Sequence, residues 1–167
     1  MRDAFFKRPG APSSEKVVRF KLRVYYEDTD FSGFVYHASY LRFLERARTE
    51  WLRALGFAQG QLKSDGAVTF AVRRLTIDYL KPAAIDDELL VETRVRRLGG
   101  ASIDFEQGVL RGGERLASAL VSVAMLRNGR PARIPPAMRT KIGEAAGLGS
   151  EPSIAAHLQR PVQPRDD

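Results

Sequence analysis

Cysteine is absent from this 167-residue chain, which excludes disulfide bonds, thiolate nucleophiles and zinc–cysteine centres. Histidine occurs only twice, at positions far apart in the sequence, so the chain lacks the ligand set of a typical metal site. Phosphate-binding glycine loops, dinucleotide fingerprints, zinc fingers and other nucleic-acid motifs are also missing. We therefore predict no bound metal, no cofactor and no nucleic-acid partner.

Long apolar segments are missing as well. No run approaches the ~18 residues that a membrane-spanning helix needs, and the first residues lack the apolar core of a secretory signal. Together with the absence of cysteine, this predicts a cytoplasmic protein without a transmembrane segment. The hydrophobic content of 44% and the charged content of 28% are ordinary for one globular domain.

The charge balance is strongly basic, with a formal net charge of +7. Such a surface favours anionic partners, and phosphate-bearing small molecules such as coenzyme A suit a chain without a nucleic-acid motif. Because guanidinium groups bind phosphate through two parallel hydrogen bonds, arginines lead the list of candidate contacts. The candidates for binding coenzyme A phosphates and pantetheine are Arg73, Arg74, Lys81, Arg97 and Ser102.

The most informative segment is the loop that precedes a long amphipathic helix. It contains Glu27, Asp28, Asp30 and His37 between a strand pattern and the helix. The first turn of a helix offers free N–H donors and the positive end of the helix dipole, which can stabilise an oxyanion. A carboxylate can activate water or attack directly, and an imidazole can transfer protons. This combination predicts acyl transfer or hydrolysis.

Hydrophobic periodicity predicts an α+β fold. An alternating strand is followed by an apolar stripe with helical spacing, for which Ser39 is the expected N-cap and Gly56 the expected stop. Four alternating strands come next, with a bulge at residues 73–74 and hairpin turns at 99–100 and 111–114. We expect one long central helix wrapped by a curved antiparallel sheet of five or six strands.

Composition divides the chain into three parts. Residues 1–15 are rich in Pro, Gly and Ser and are predicted to form a flexible arm, while residues 16–140 form the folded domain. Periodicity disappears after residues 135–136, and Ala, Gly, Pro and polar residues dominate the end of the chain. We therefore expect residues 141–167 to be a disordered or loosely docked tail.

Two segments resemble the hotdog-fold thioesterases of the 4-hydroxybenzoyl-CoA thioesterase family, and within it the acyl-CoA thioesterases associated with the bacterial Tol–Pal system. They are RVYYEDTDFSGFVYHASYLRFLERARTEWLR, residues 23–53, and AVRRLTIDYLKPAAIDDELLVETRVRRLGGASIDFEQ, residues 71–107. The resemblance covers residues 18–133. It implies hydrolysis of acyl-CoA to a free acid and coenzyme A, at a site between two subunits of a dimer or tetramer.

The same resemblance implies roles for individual residues. Asp30 is expected to be the catalytic carboxylate, as general base or as nucleophile, and the helix start at His37 to supply an oxyanion donor. The His37 imidazole can orient water or protonate the leaving thiolate, and Tyr36 is expected to line the acyl pocket. Neither role of Asp30 is favoured over the other by the sequence.

Other interpretations of the same residues are open. Asp30 can be a loop residue that forms only an Asx-turn. The chain can be a non-catalytic acyl-CoA or acyl-carrier-protein binding module, although intact Asp30 and His37 argue against this. It can also be a hotdog hydratase or dehydratase, in which a helical carboxylate such as Glu45 or Glu50 is the catalytic group.

Overall fold

The computed structural model describes residues 16–148. The flexible arm predicted for residues 1–15 and the part of the predicted tail from residue 149 onward lie outside the described residues. The elements follow in the order β1 (Val18–Arg23), a 3₁₀ turn (Tyr26–Asp28), α1 (His37–Ala54), α2 (Gln59–Gly66), β2 (Val68–Tyr79), β3 (Glu88–Leu98), β4 (Ser102–Arg111), β5 (Glu114–Arg127), β6 (Arg130–Pro131) and α3 (Pro136–Ala146).

The strands form one antiparallel sheet in the order β1-β3-β4-β5-β2, and the short β6 pairs with the end of β5. The sheet curls around α1, so the predicted α+β hotdog architecture with five or six strands is confirmed. The hairpin turns join β3 to β4 and β4 to β5 at the predicted positions. At the second of these turns Gly112 and Gly113 both have positive φ, which glycine adopts without strain.

The core lies between α1 and the inner face of the sheet. Phe43, Leu44 and Trp51 of the helix are at most 5% exposed, and the Trp51 ring packs edge-on against Phe105 of β4 at a centroid distance of 5.7 Å. Each such side chain stabilises the fold by roughly 1.5–3 kcal/mol when it leaves water. The helix is therefore held firmly along its length, and its first turn has a fixed position relative to the sheet.

The start of α1 differs from the prediction. Ser39 is not the N-cap: Tyr36 takes that position in extended conformation, and Ser39 is buried with its hydroxyl accepting a hydrogen bond from Arg42. The helix starts earlier because the Tyr36 N–H bonds the carbonyl of Asp28, which closes the preceding loop at that residue. The predicted stop is confirmed, since Gly56 follows the last residues with φ of +88°.

Two helices were missed by the periodicity analysis. Helix α2 has no buried residue and therefore leaves no apolar stripe. Helix α3 crosses the boundary drawn at residue 140, so residues 141–148 are not part of a loose tail. They complete a helix whose buried side chains Met138, Ile142 and Ala146 recur every four residues. Within the described residues, the helices are too short or too polar to cross a membrane.

Candidate functional site

The loop before α1 is a small hairpin tied at its base. Backbone bonds run from Tyr36 N to Asp28 O at 2.9 Å and from Asp30 N to Phe34 O at 3.1 Å. Gly33, with φ of +80°, donates its N–H to the Asp30 carbonyl and closes the tip. The hairpin thus presents Asp30 next to the start of the helix.

The hairpin is docked on the corner between β2 and β3. Val35 N donates to the carbonyl of Ala83 at 2.8 Å, and Phe34 pairs with Ala84 in a β-bridge. The N–H of Ala83 in turn donates to the hydroxyl of Tyr40 on α1. Hairpin, corner and helix are therefore fixed to one another by hydrogen bonds, as a preorganised site requires.

Asp30 is exposed and carries its negative charge. Its Oδ1 accepts hydrogen bonds from the hydroxyl of Ser32 and from the backbone N–H of Ser32, the latter at 2.8 Å. These two bonds hold the pKa of the Asp30 carboxyl below its usual value, against an opposing effect of burial and with a smaller contribution from His37. The Asx-turn that sequence allowed is present, but it occupies Oδ1 and leaves Oδ2 without a partner among the described residues.

Asp28 behaves differently from Asp30 although only Thr29 separates them. It is 1% exposed, and its Oδ2 accepts the N–H of Tyr25 at 3.0 Å. Its Oδ1 receives no hydrogen bond from the described residues and lies 3.8 Å from Nη2 of Arg42. These contacts give Asp28 a structural role, in the turn after β1 and in an ion pair with Arg42.

The first turn of α1 faces the same region. The N–H groups of His37 and Ala38 have no acceptor within the described residues, as expected for the first amides of a helix. The hydroxyl of Tyr79 donates to the His37 carbonyl at 2.8 Å. The imidazole lies beside the rings of Tyr36, at 4.3 Å between centroids, and Tyr79, at 6.4 Å. No charge or motif marks Tyr79 in the sequence, and only the fold reveals its hydrogen bond to the first turn of α1.

Large apolar side chains surround the hairpin and remain exposed. This aromatic rim contains Tyr25, Tyr26, Phe31, Phe34, Tyr36, Tyr79, Leu80 and Ile85. Contiguous exposed apolar surface of this kind marks a ligand-binding or protein-binding region. Tyr36 is one of these rim residues, and its position at an acyl pocket stays a prediction.

The residues predicted to contact coenzyme A do not all lie together in the structure. Arg73, Arg74 and Arg97 line one open groove on the outer face of the sheet, together with Arg96, which the sequence analysis did not select. Lys81 instead pairs with Glu114 near the β4–β5 turn. Ser102 opens β4 two residues before Asp104, beside the groove, but does not line it. The structure therefore brings together three of the five predicted residues.

The two carboxylates of α1 that the dehydratase interpretation requires are both bonded to neighbours on the helix surface. Glu45 accepts the hydroxyl of Thr49, and Glu50 pairs with Arg53. Neither forms a contact with His37. In the part of the chain that the structure covers, no group of three or more His, Asp or Glu side chains is arranged to hold a metal ion.

Comparisons with known proteins agree on one family. A family model described as the thioesterase superfamily matches residues 32–118. The acyl-CoA thioesterase YbgC of Haemophilus influenzae is 50% identical over 111 residues, which are 66% of this chain and 82% of that protein. The acyl-CoA thioester hydrolase YbgC of Escherichia coli O157:H7 is 48% identical over 92 residues, 55% of this chain and 68% of that protein.

Solved structures give the same result. A probable thioesterase from Bartonella henselae superimposes with a TM-score of 0.70 at 44% identity, covering 72% of this chain and all of that one. A thioesterase from Thermus thermophilus, solved with coenzyme A and Zn, has a TM-score of 0.68 at 32% identity and covers 81% of this chain and 98% of its own.

Proposed function

The chain belongs to the thioesterase superfamily, and we propose that it hydrolyses acyl-CoA thioesters to a free carboxylic acid and coenzyme A through Asp30 and the first turn of α1. The observation that carries the proposal is the position of an ionised, partly unpaired carboxylate next to helix amides that lack acceptors. Names of the YbgC relatives and the coenzyme A complex of the Thermus structure support the substrate class.

Two routes use the same residues. In the first, Oδ2 of Asp30 takes a proton from water, and the resulting hydroxide attacks the thioester carbonyl carbon. In the second, Asp30 attacks that carbon itself and forms a mixed anhydride, which water then hydrolyses. In both, the carbonyl oxygen becomes an oxyanion that accepts hydrogen bonds from the His37 and Ala38 N–H groups. The C–S bond then breaks and the coenzyme A thiolate leaves. In the first route it is protonated by Asp30, His37 or water, and in the second, where Asp30 carries the acyl group, by His37 or water.

Label in Asp30 after a single turnover in H₂¹⁸O would establish the anhydride route. Hydrolysis of an anhydride at the enzyme carboxyl transfers ¹⁸O into Asp30, whereas direct attack by water labels only the product acid. Mass spectrometry of the peptide that contains Asp30 measures the label.

The assignment of Asp30 is tested by Asp30→Asn. The amide keeps an oxygen that accepts the Ser32 hydrogen bonds, so the hairpin is expected to stay intact, but it can neither take a proton nor attack. We expect hydrolysis, measured by thiol release from acyl-CoA, to fall by roughly 10²–10⁴-fold with an unchanged circular dichroism melting curve. Near wild-type turnover in the Asn variant would show that another group carries the reaction.

A hotdog hydratase or dehydratase is the second candidate within this fold. It would require Glu45 or Glu50 to reach the substrate, and both are engaged by neighbours on their own helix. A non-catalytic acyl-CoA or carrier-protein binding module is the alternative outside enzymes. Thiol release by the purified wild-type protein, lost in Asp30→Asn, separates the hydrolase from both.

Assembly belongs to the same proposal. The aromatic rim is exposed beside the site, and strands β1 and β2 end the sheet with unpaired edges among the described elements. We propose a dimer or tetramer in which two subunits complete the acyl pocket, acting in the cytoplasm on acyl-CoA and on acyl groups carried by acyl carrier protein. An active monomer in light scattering at micromolar concentration would contradict this assembly.

A further inference from the structure

Tyr79, the last residue of β2, is hydrogen-bonded to His37, the first residue of α1. Its hydroxyl donates to the His37 carbonyl oxygen at 2.8 Å. A carbonyl oxygen has two lone pairs, so this bond adds to the helical bond that the same oxygen can accept from the residue four positions later. The two hydrolysis routes described above assign no step to this hydroxyl.

The bond acts on the peptide unit that joins His37 to Ala38. The carbonyl of this unit belongs to His37 and its N–H to Ala38, and the unit is planar with the two groups pointing in opposite directions. In an α-helix the carbonyls point toward the C-terminal end and the N–H groups toward the N-terminal end. A donor that holds the His37 carbonyl therefore fixes the direction of the Ala38 N–H, toward the end of the helix where the Asp30 hairpin lies.

The same bond makes the Ala38 N–H a stronger donor. A hydrogen bond to a peptide oxygen draws electron density toward that oxygen and leaves more positive charge on the N–H of the unit. This is the cooperative polarisation found in chains of hydrogen bonds. The helical bond polarises the unit once, and the Tyr79 hydroxyl adds a second contribution.

The Tyr79 side chain is fixed by packing and by strand pairing. Its ring packs edge-on against Tyr40 of α1 at a centroid distance of 5.4 Å. Its backbone pairs with Ala117 of β5, and the two N–H groups that follow it both donate to the carbonyl of Leu116, at 2.8 and 3.1 Å. The sheet thus sets the position of the hydroxyl, and the hydroxyl sets the position of the first helical peptide unit.

The Tyr79 hydroxyl is a donor at neutral pH. Partial burial and the neighbouring Tyr40 both raise the pKa of Tyr79 above its ordinary value, so the phenol stays protonated. Since a carbonyl oxygen can only accept, the proton of the hydroxyl must lie in the bond to His37.

We propose that Tyr79 is a positioning residue for thioester hydrolysis, whose hydroxyl orients and polarises the first peptide unit of α1 so that the Ala38 N–H binds the developing oxyanion. This rests on the proposed function, because the oxyanion belongs to that reaction. Tyr79 acts through Ala38 and touches none of the reacting atoms in this role. Its contribution should appear in the transition state, where the carbonyl oxygen gains charge, and be small in substrate binding.

Tyr79→Phe tests the role, because it removes the hydroxyl and keeps the ring. We expect kcat for acyl-CoA to fall about three- to tenfold, the factor that corresponds to the net contribution of one hydrogen bond. KM is expected to stay unchanged, since the interaction strengthens only in the transition state. A hydroxyl with a purely structural role would lower the melting temperature and leave kcat of the folded enzyme intact.

Tyr40→Phe is the matched comparison, because it removes the same atom from the neighbouring ring. The Tyr40 hydroxyl accepts the N–H of Ala83, a residue that is 0% exposed. Its loss leaves a buried donor unpaired, so the melting temperature should fall further than in Tyr79→Phe. The Tyr79 variant should nevertheless lose more kcat. The same order of the two variants in both measurements would overturn the positioning role.

A carbonyl stretching frequency measures the polarisation without turnover. The probe is a ketone analogue of acyl-CoA in which a methylene group replaces the thioester sulfur, so that it cannot be hydrolysed. Isotope-edited infrared difference spectra of the wild-type complex should show a lowered C=O frequency, because the first-turn amides donate to the carbonyl oxygen. Tyr79→Phe should reverse part of this lowering.

The infrared result separates this inference from the proposed function. A lowered frequency in the wild type that persists unchanged in Tyr79→Phe would overturn the role of Tyr79 and leave the amides as oxyanion donors. A wild-type frequency no lower than that of an unbonded ketone would overturn both, since the amides would not bind the carbonyl. Neither measurement depends on whether Asp30 acts as base or as nucleophile.

Discussion

Polar groups in the second half of helix α1 are hydrogen-bonded within the protein, whereas those at its start are unpaired. In the second half, Arg48 is 6% exposed, and its Nη1 donates to Gln107 at 2.7 Å. Gln107 in turn donates to the carbonyl of Leu44 and to the hydroxyl of Thr93. At the start of the helix, the His37 and Ala38 amides have no partner within the described residues, and neither has Oδ2 of Asp30 in the preceding loop.

The polar groups that stabilise the fold and the polar groups that are available for chemistry lie at different ends of the same helix. Buried polar groups must be hydrogen-bonded, because an unsatisfied one costs about 1–3 kcal/mol. The C-terminal half meets this requirement internally and fixes the helix on the sheet. The start of the helix is open to solvent at His37, so its free donors cost little and stay available for a developing negative charge. Substitutions at the start of the helix should therefore lower activity, whereas substitutions that affect its second half should lower stability.

The largest effect is expected when the His37 N–H is removed. Proline fits at the first position of a helix, and Tyr36 before it already has φ −60° and ψ 134°, a conformation that proline favours in its predecessor. His37→Pro deletes the amide proton together with the imidazole, whereas His37→Ala deletes only the imidazole. We expect kcat of the Pro variant to fall roughly 10²–10³-fold below that of the Ala variant, with similar melting curves.

The Ala variant also measures the side-chain role of His37. Coenzyme A thiolate is a good leaving group, so loss of the imidazole is expected to cost far less than loss of the amide. Equal rates for His37→Pro and His37→Ala would remove the His37 N–H from the oxyanion site and leave the Ala38 N–H as the candidate donor.

The hydrogen bonds that anchor the second half of α1 are tested by Gln107→Leu, a substitution in β4. The substitution leaves the buried Arg48 guanidinium without its acceptor and removes bonds to Leu44 and Thr93, so the free energy of unfolding should fall by about 2–4 kcal/mol. The folded fraction should keep a near wild-type kcat. Denaturant unfolding at one fixed protein concentration gives the free energy, since an oligomer's stability depends on concentration. Ser118→Ala, on the outer face of β5, is the control with an expected change within about 0.5 kcal/mol.

A large loss of kcat in Gln107→Leu, with little loss of stability, would contradict the separation of the two halves. It would mean that the Arg48–Gln107 contact acts on the site and does more than anchor the helix. The same result in the Ser118 control would point to a general effect of the sheet.

Sequence reasoning succeeded where a local pattern determines the structure. The phase slip at residues 73–74 exposes the first bulge, because apolar residues on either side change face. The second bulge, in β3 between Val95 and Arg97, left a weaker sign. Arg96 and Arg97 are both polar, and Leu98, three residues after Val95, is the single apolar residue that changes face. Helix α3 was missed because Ala and Gly dilute its apolar stripe. The open groove lined by Arg73, Arg74, Arg96 and Arg97 depends on both bulges lying in one row, which is a property of sheet register.

The burial of Asp28 is a second feature, here at the candidate site, that a local sequence pattern does not reveal. Asp28 and Asp30 have the same side chain and the same local composition, and only the closure of the hairpin by Tyr36 N buries one and exposes the other. The segment and its helix could be predicted from sequence, including the place of Asp30. The contact of Tyr79 with His37 could not, since it joins residues 42 positions apart.

The smallest expected effect concerns the acid side of the pH profile. Ser32→Ala removes the hydroxyl that bonds Oδ1 of Asp30 and keeps the backbone N–H. Because this bond favours the ionised carboxylate, its loss raises the pKa of Asp30 toward the ordinary value of 3.8. The acid limb of kcat/KM reports the free enzyme and should therefore move to higher pH, while the rate at pH 7 stays the same. Ser64→Ala on α2 is the control, and circular dichroism at each pH separates titration from unfolding. A limb that does not move would show that Asp30 is not the group whose ionisation limits the reaction.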